Sequence, residues 1–204
     1  DLNSPTGVQI NNLVTAQGTV ALTFDSIVIN AAVTFAPGDM SFTSQTSFVM
    51  TSQGSINGAG GGFGQNGIPS GEGCVSPNGP PSGGAHGGNT DRGNGNSAVS
   101  YNHPTGCGDY RRPVLRGAGG RILAWTTSSR RGNGGNGGGA VHIVAQSASF
   151  DGFIGVNGLA GAQGSPNYQY PGGGGAGGSI LVEVATTMSG SGVFSSNGGN
   201  GGID

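Results

Sequence analysis

Residues 178–198 read GSILVEVATTMSGSGVFSSNG, and residues 139–158 read GAVHIVAQSASFDGFIGVNG. The two stretches align with one gap, and each contains a strand-like run, a short turn, a second strand-like run and an Asn-Gly pair. Alternation of apolar and polar residues with a period of two is typical of a β-strand with one buried face. Self-similarity at about 40 residues indicates a repeat architecture. The pair of copies therefore predicts stacked β-units. Their inward-facing residues are expected to be Ile143, Phe150, Ile180, Val182, Val184, Met188 and Val193, and the core of the preceding stretch is expected to be filled by Phe24, Phe35, Phe42 and Phe48.

Shorter copies extend the pattern toward the N-terminus, where residues 119–125 read GGRILAW and residues 54–58 read GSING. From Val14 to Ile56 the apolar residues alternate in short segments, interrupted by turn residues such as Pro37-Gly38-Asp39. Grouped in threes, these segments return about every 20 residues, which suits one coil of a three-sided parallel β-helix. A β-sandwich is the alternative, but it would favour tight two-residue hairpins, for which the sequence gives no signal.

Glycine accounts for 47 of the 204 residues. Residues 133–138 and 197–202 both read NGGNGG, a period of three that matches an extended left-handed helix with three residues per turn. Glycine lets such helices pack closely, although a flexible spacer is the alternative interpretation. We predict an all-β fold, an elongated parallel β-helix or solenoid with glycine-rich, polyglycine II-like three-residue segments.

The predicted organisation is one solenoid domain over residues 18–204, preceded by an N-terminal extension over residues 1–17. A loop at about residues 58–120 interrupts the domain. Because Cys74 and Cys107 would close this long loop, they predict a disulfide and an oxidising compartment. A zinc site is the alternative, but its spacings lack the close cysteine pair of structural zinc sites, so we expect no metal. Its ligands would be Cys74, His86, His103 and Cys107.

The alternation of GGSILVEV, a short turn, GVFSSNGG and a further glycine run resembles the glycine-rich β-helical repeat regions of large secreted surface proteins of bacteria, algae and protists. The glycine-rich stretches within residues 83–88 and 108–120 are similar to the pattern between such repeats. The resemblance covers roughly residues 41–202 and implies a surface or matrix role. It supplies no catalytic residue. Together with the cysteines, it predicts a secreted protein at the cell surface.

Charge and composition argue against several functions. The net charge is −2 and lysine is absent, so the sequence has neither a basic footprint for nucleic acid nor the lysine of a phosphate-binding loop. No apolar stretch is long enough for membrane insertion. Asp151 and Glu183 lie in neighbouring repeats and would need to approach each other to form a glycosidase-type carboxylate pair. Because isolated acids in repeats usually face solvent, we expect no enzyme and no cofactor.

The predicted function is a structural subunit of an extracellular filament or surface layer, with copies of itself as partners. Head-to-tail strand addition would use Val8, Ile10 and Leu13 as a donated assembly strand. Alternatively, residues 1–14 fold back as the first coil of their own solenoid. The other predicted function is a monomeric adhesin tip whose Tyr168 and Tyr170 stack on carbohydrate. Ice binding by serine- and threonine-rich strand faces is weaker, because regular threonine ladders are absent.

Overall fold

The computed structural model describes residues 7–64, 113–120, 132–163 and 171–202. These residues form ten β-strands and no helix, so none of them lies in a helix able to cross a membrane. The strands are β1 Val8–Ile10, β2 Val14–Ala16, β3 Val20–Ile29, β4 Ala32–Phe35, β5 Asp39–Met50, β6 Ser55–Asn57, β7 Ala140–Phe150, β8 Phe153–Gly155, β9 Ser179–Ser189 and β10 Val193–Ser195.

The strands alternate between two parallel sheets. Sheet A has the order β1-β3-β5-β7-β9 and sheet B the order β2-β4-β6-β8-β10. From β3 onward each strand pairs with the strand two places earlier in the chain, and every described pairing is parallel. An odd strand and the even strand after it form one layer, and each layer stacks on the one before. The prediction of an all-β protein with stacked parallel strands is therefore confirmed.

The segment predicted to be an N-terminal extension, residues 1–17, supplies the first layer through its described part. Val8, Gln9 and Ile10 pair with Ile27, Val28 and Ile29 of β3. The alternating apolar residues of this segment match the inward positions of β3, which is why they add to the same sheet. This is the arrangement expected of the alternative in which the segment folds back as the first coil.

The core consists of apolar columns that run through the layers. One column joins Leu22, Phe42, Ile143 and Val182, and Phe42 and Ile143 at its centre are completely buried. The predicted core residues that are buried are Phe24, Phe35, Phe42, Phe48, Ile143 and Phe150. The predicted core residues that are only partly buried and pack against the core from the last layer are Ile180, Val182 and Val184.

Two predicted core residues are exposed. Val193 was expected to face inward, but it is 59% exposed, and the neighbouring Phe194 takes the inward position opposite Ile154. The prediction for Val193 is wrong because the short strand β10 enters the sheet one residue out of the assumed phase. Met188 does lie in an inward column, opposite Ala148, yet it is 56% exposed because its layer is the last one described.

The long strands of sheet A bend sharply. Phe42 and Phe48 lie in the same strand, and six residues of straight strand would separate them by about 20 Å. Their ring centroids are only 5.6 Å apart, so β5 turns inward between them, at the register shift between Ser44 and Ser47. Similar shifts occur in the β3–β5 and β7–β9 pairs. The two halves of each long strand thus enclose the core from different sides.

At this bend, side-chain hydroxyl groups donate hydrogen bonds to backbone carbonyl groups. Thr46 Oγ1 donates to the Asp25 carbonyl at 2.6 Å. One layer further on, Ser147 Oγ donates to the Thr46 carbonyl at 3.1 Å, and Thr186 Oγ1 donates to the Gln146 carbonyl at 2.7 Å. Because a register shift interrupts the regular strand ladder, these carbonyls need other partners. The serine and threonine residues at the bend therefore connect each of the last three layers to the layer before it.

Glycine-rich runs flank the last three layers. We number them run 1 to run 6, and their residues are 58–64, 117–120, 132–139, 156–163, 171–178 and 196–202. Their hydrogen bonds recur at every third residue. Gly172, Gly175 and Gly178 donate to the carbonyls of Ala162, Leu159 and Val156, at 3.0, 2.9 and 2.7 Å. The described ends of the predicted loop, runs 1 and 2, belong to this array. The described runs are therefore hydrogen-bonded to one another and are not free spacers.

The runs pack more closely than any side chain would allow. A Cβ on Gly135 would lie within 3.0 Å of the backbone of Leu159, and one on Gly175 would lie within 3.0 Å of the backbone of Asn136. Backbone atoms cannot move aside as a flexible side chain can. Glycine at these positions is thus required by the contact between runs.

Candidate assembly surface

The last layer presents two strand edges. β9 pairs with β7, β10 pairs with β8, and no other described strand lies on their far sides. An edge strand carries a row of backbone N–H and C=O groups that can pair with a further strand. We call this side of the molecule, formed by β9, β10 and run 6, the C-face.

Apolar side chains at the C-face continue the core columns. The column of Ile27, Phe48, Ala148 and Met188 is buried through its first three members, with exposed fractions of 0%, 0% and 6%. Met188, at its end, is 56% exposed. In sheet B, Phe194 is 40% exposed, and its ring packs edge-on against Phe150 with centroids 5.2 Å apart. One side of each terminal residue therefore contacts the core while the other is uncovered.

The opposite side of the molecule, formed by β1, β2 and the first half of β3, has the same character. We call it the N-face. Leu13 is 68% exposed and Val14 is 39% exposed. β1 covers only Ile27–Ile29, so among the described residues no strand pairs with the start of β3 on this side. The N-face therefore also combines an open strand edge with uncovered apolar residues.

The two faces are the two ends of the same columns. Val14 begins a column in sheet B that continues through Val33, Ile56 and Ile154 and ends at Phe194. Within each sheet all described strands run in one direction, so an N-face placed on a C-face would extend both sheets without reversing them. The register would then set Val14 of one copy on Phe194 of another. In sheet A it would likewise set Val8 on Met188.

Charges at the C-face are few. Glu183 points to the outer side of sheet A, where its Oε2 lies 2.6 Å from Nε2 of His142 on the neighbouring strand β7. Both side chains are about a third or more exposed, so the pair contributes little to stability. The inward columns that end at the C-face, at Ile180, Val182, Val184, Met188 and Phe194, carry no charged side chain, which favours apolar contact there.

Asp151 and Glu183, the two acids considered as a carboxylate pair, are not brought together. Glu183 sits opposite Val144 in the middle of β7, whereas Asp151 follows the end of that strand. Asp151 Oδ1 instead accepts a hydrogen bond from the Ser191 N–H at 3.1 Å and so joins the turns of two layers. Among the described residues, no three His, Cys, Asp or Glu side chains are grouped as metal ligands.

The other predicted site residues are distributed as follows. Val8 and Ile10 lie in β1, with Ile10 8% exposed, and Leu13 lies in the exposed connection before β2. The residues of the predicted disulfide, of the alternative zinc site and of the alternative carbohydrate site lie outside the described residues; they are Cys74, Cys107, His86, His103, Tyr168 and Tyr170.

Two features of the structure were not anticipated. Phe194 is the terminal core residue of sheet B, and aligning residues 193–195 with residues 153–155 would have revealed it, since Ile154 is the buried member of that triplet. The second is a cluster around Arg116, whose Nε lies 3.1 Å from Asp39 Oδ1 and whose guanidinium lies 4.8 Å from the Phe63 ring centroid. It ties run 2 to the third layer across a long sequence separation, for which no local signal exists.

Comparison with protein-family models, with curated proteins and with solved structures finds no match to this chain.

Proposed function

We propose that the chain is a parallel β-solenoid, with polyglycine II-like runs along one side, that serves as a secreted structural subunit of an extracellular filament or surface layer. Its partners are copies of itself, joined head to tail. The columns of buried aromatic and aliphatic residues and the close-packed glycine array support a rigid structural body. The resemblance to repeat regions of secreted surface proteins supports the extracellular location.

One observation carries this proposal: the same apolar columns end uncovered at both faces. Val14 and Phe194 are the two ends of a single column, and they are 39% and 40% exposed, whereas its inner members are at most 1% exposed. Stacking an N-face on a C-face would bury both ends and pair both open edges. Because the two faces differ from each other, this contact is heterologous and repeats without closing, which gives a filament.

Stacking of intact end layers is favoured over donation of a withdrawn N-terminal strand. Ile10 is buried, and β1 covers Ile27 and Ile29, which are fully buried beneath it. Removing β1 would expose this part of the core at a cost of about 1.5–3 kcal/mol for each large aliphatic side chain. An intact β1 offers its outer edge to Met188–Gly190 of the neighbour at no such cost.

The proposal is tested with Met188→Lys. A lysine at an exposed edge is a natural means of blocking strand addition, because its charge would have to be buried in the contact. Thr187→Lys is the matched control, since Thr187 is exposed on the same strand but belongs to the outward column of Ser47 and Ser147. Both variants should keep the parent's circular dichroism spectrum and melting temperature.

Sedimentation velocity and negative-stain electron microscopy should show linear polymers for the parent and for Thr187→Lys, and monomers for Met188→Lys. Polymers of unchanged length with Met188→Lys would contradict stacking through the C-face. Discrete particles of the parent at all concentrations would contradict the structural-subunit function and favour the adhesin.

A further inference from the structure

Runs 3 and 6 contain the same sequence, NGGNGG, at residues 133–138 and 197–202. Both lie against run 4. A Cβ on Gly135 and a Cβ on its equivalent Gly199 would each meet the backbone of Leu159 within 3.0 Å. The two copies thus flank one common run and use the same glycine position to approach it.

The copies differ on their other sides. Run 2 packs against run 3, so a Cβ on Gly137 would meet the backbone of Gly117 and Ala118 within 3.0 Å. At the equivalent position in run 6, Gly201, the nearest atom to such a Cβ is 3.9 Å away. Gly201 is exposed where Gly137 is buried. Run 6 therefore lacks, among the described residues, the neighbour that its sequence-equivalent has.

Gly198, three residues before Gly201, is exposed as well. Its Cβ would come no closer than 3.5 Å to any described atom, and neither glycine has a positive φ. Glycine loses more backbone entropy on ordering than any other residue, so an ordered glycine that nothing requires is unfavourable. Nothing within the described fold requires glycine at these two positions. A close approach by another chain would require it.

We propose that the side of run 6 that carries Gly198 and Gly201 binds a glycine-rich three-residue helix from a second copy of this chain. The contact reproduces the packing of run 2 on run 3, and the spacing of three places both glycines on the same side of the run. This inference rests on the proposed self-association and adds a second contact to it.

The test is the double variant Gly198→Ala with Gly201→Ala. In the isolated subunit both methyl groups have space, so the melting temperature of dilute protein should equal or slightly exceed that of the parent. In the assembly each methyl would meet backbone atoms, and the dissociation constant measured by sedimentation should rise at least about tenfold. Gly64→Ala is the matched control, because Gly64 is also exposed, with its nearest atom at 3.8 Å, but lies on run 1.

Each outcome of this test supports or contradicts the proposed glycine contact. Weaker association of the double variant, with unchanged association of Gly64→Ala, supports the glycine contact. Equal association of the double variant and the parent overturns this inference alone and leaves strand stacking in place. A parent that does not associate overturns the inference together with the proposed function. A double variant that melts well below the parent shows that the two positions are occupied within the subunit, and it overturns the inference as well.

Discussion

Alanine substitutions at two glycines in the array should change stability in opposite directions. Gly175 lies in run 5, where a Cβ would come within 3.0 Å of the Asn136 carbonyl group and the Gly137 nitrogen. Gly198 lies in run 6, where the nearest atom to a Cβ is 3.5 Å away. The chemical change is identical at both sites, so the unfolded chain loses the same conformational freedom in each case.

The magnitude follows from two terms. Restricting the unfolded chain by Gly→Ala stabilises a protein by about 0.4–1 kcal/mol where the native conformation accepts the methyl group. Forcing an extra methyl group into a closely packed region destabilises it by about 1–3 kcal/mol. Gly198→Ala should therefore gain up to about 1 kcal/mol, whereas Gly175→Ala should lose up to about 2.6 kcal/mol. The effect on the unfolded chain is the same in both variants. The difference between their free energies of unfolding is therefore the cost of the steric contact at Gly175.

Thermal unfolding of dilute protein, followed by circular dichroism, measures this difference. For a protein of this size, 1 kcal/mol shifts the melting temperature by about 2–4 °C, so the two variants should differ by about 2–12 °C. Hydrogen exchange should in addition show faster exchange at the amides of run 5 in Gly175→Ala only. If both variants were equally stable, the runs would not be packed against one another, and the structural argument for the glycine array would fail.

Three further predictions concern the core and the cysteines. Phe48→Ala should cost about 3–5 kcal/mol in a denaturant titration, because Phe48 is fully buried between the rings of Phe42 and Phe150, and a cost below 1 kcal/mol would contradict this packing. Ile143→Asp should prevent folding, because Ile143 is fully buried, whereas Val182→Asp, in the partly buried last described layer, should leave a folded monomer with the circular dichroism spectrum of the parent. Equal loss of structure in both variants would show that both layers are equally enclosed. Cys74 and Cys107 should resist alkylation until reduced, with a disulfide contribution of about 3–4 kcal/mol, and free thiols by mass spectrometry would refute the pairing.

The stacked parallel strands could be predicted because the repeat fixes both their period and their inward faces. Ile143 and Val182 occupy equal positions in the two repeat copies, and the structure pairs them in one column. The alternation at Val8 and Ile10 was also visible, but alternation alone does not state which sheet edge a strand joins. That depends on the match to Ile27 and Ile29, a contact decided by tertiary packing.

Other features could not be predicted from local patterns. The bend in β5 depends on a register shift shared by neighbouring strands, and Thr46 and Ser147 show their role only once the layers are stacked. Alternation could not show which residue of β10 faces inward, because this strand has only three residues. The inward position of Phe194 was therefore not predicted. The open side of Gly201 became visible only by comparison with the packed side of Gly137.

Fibre diffraction or electron cryomicroscopy of assemblies of the purified chain tests head-to-tail stacking most directly. Continuous sheets would place strands 4.7–4.9 Å apart along the filament axis. With the five strands per sheet that the described residues form, the rise per subunit should be about 24 Å. A meridional reflection near 4.8 Å together with this subunit rise is the result that stacking predicts. Filaments whose strands run along the axis, or a subunit rise unrelated to five strand spacings, would contradict it.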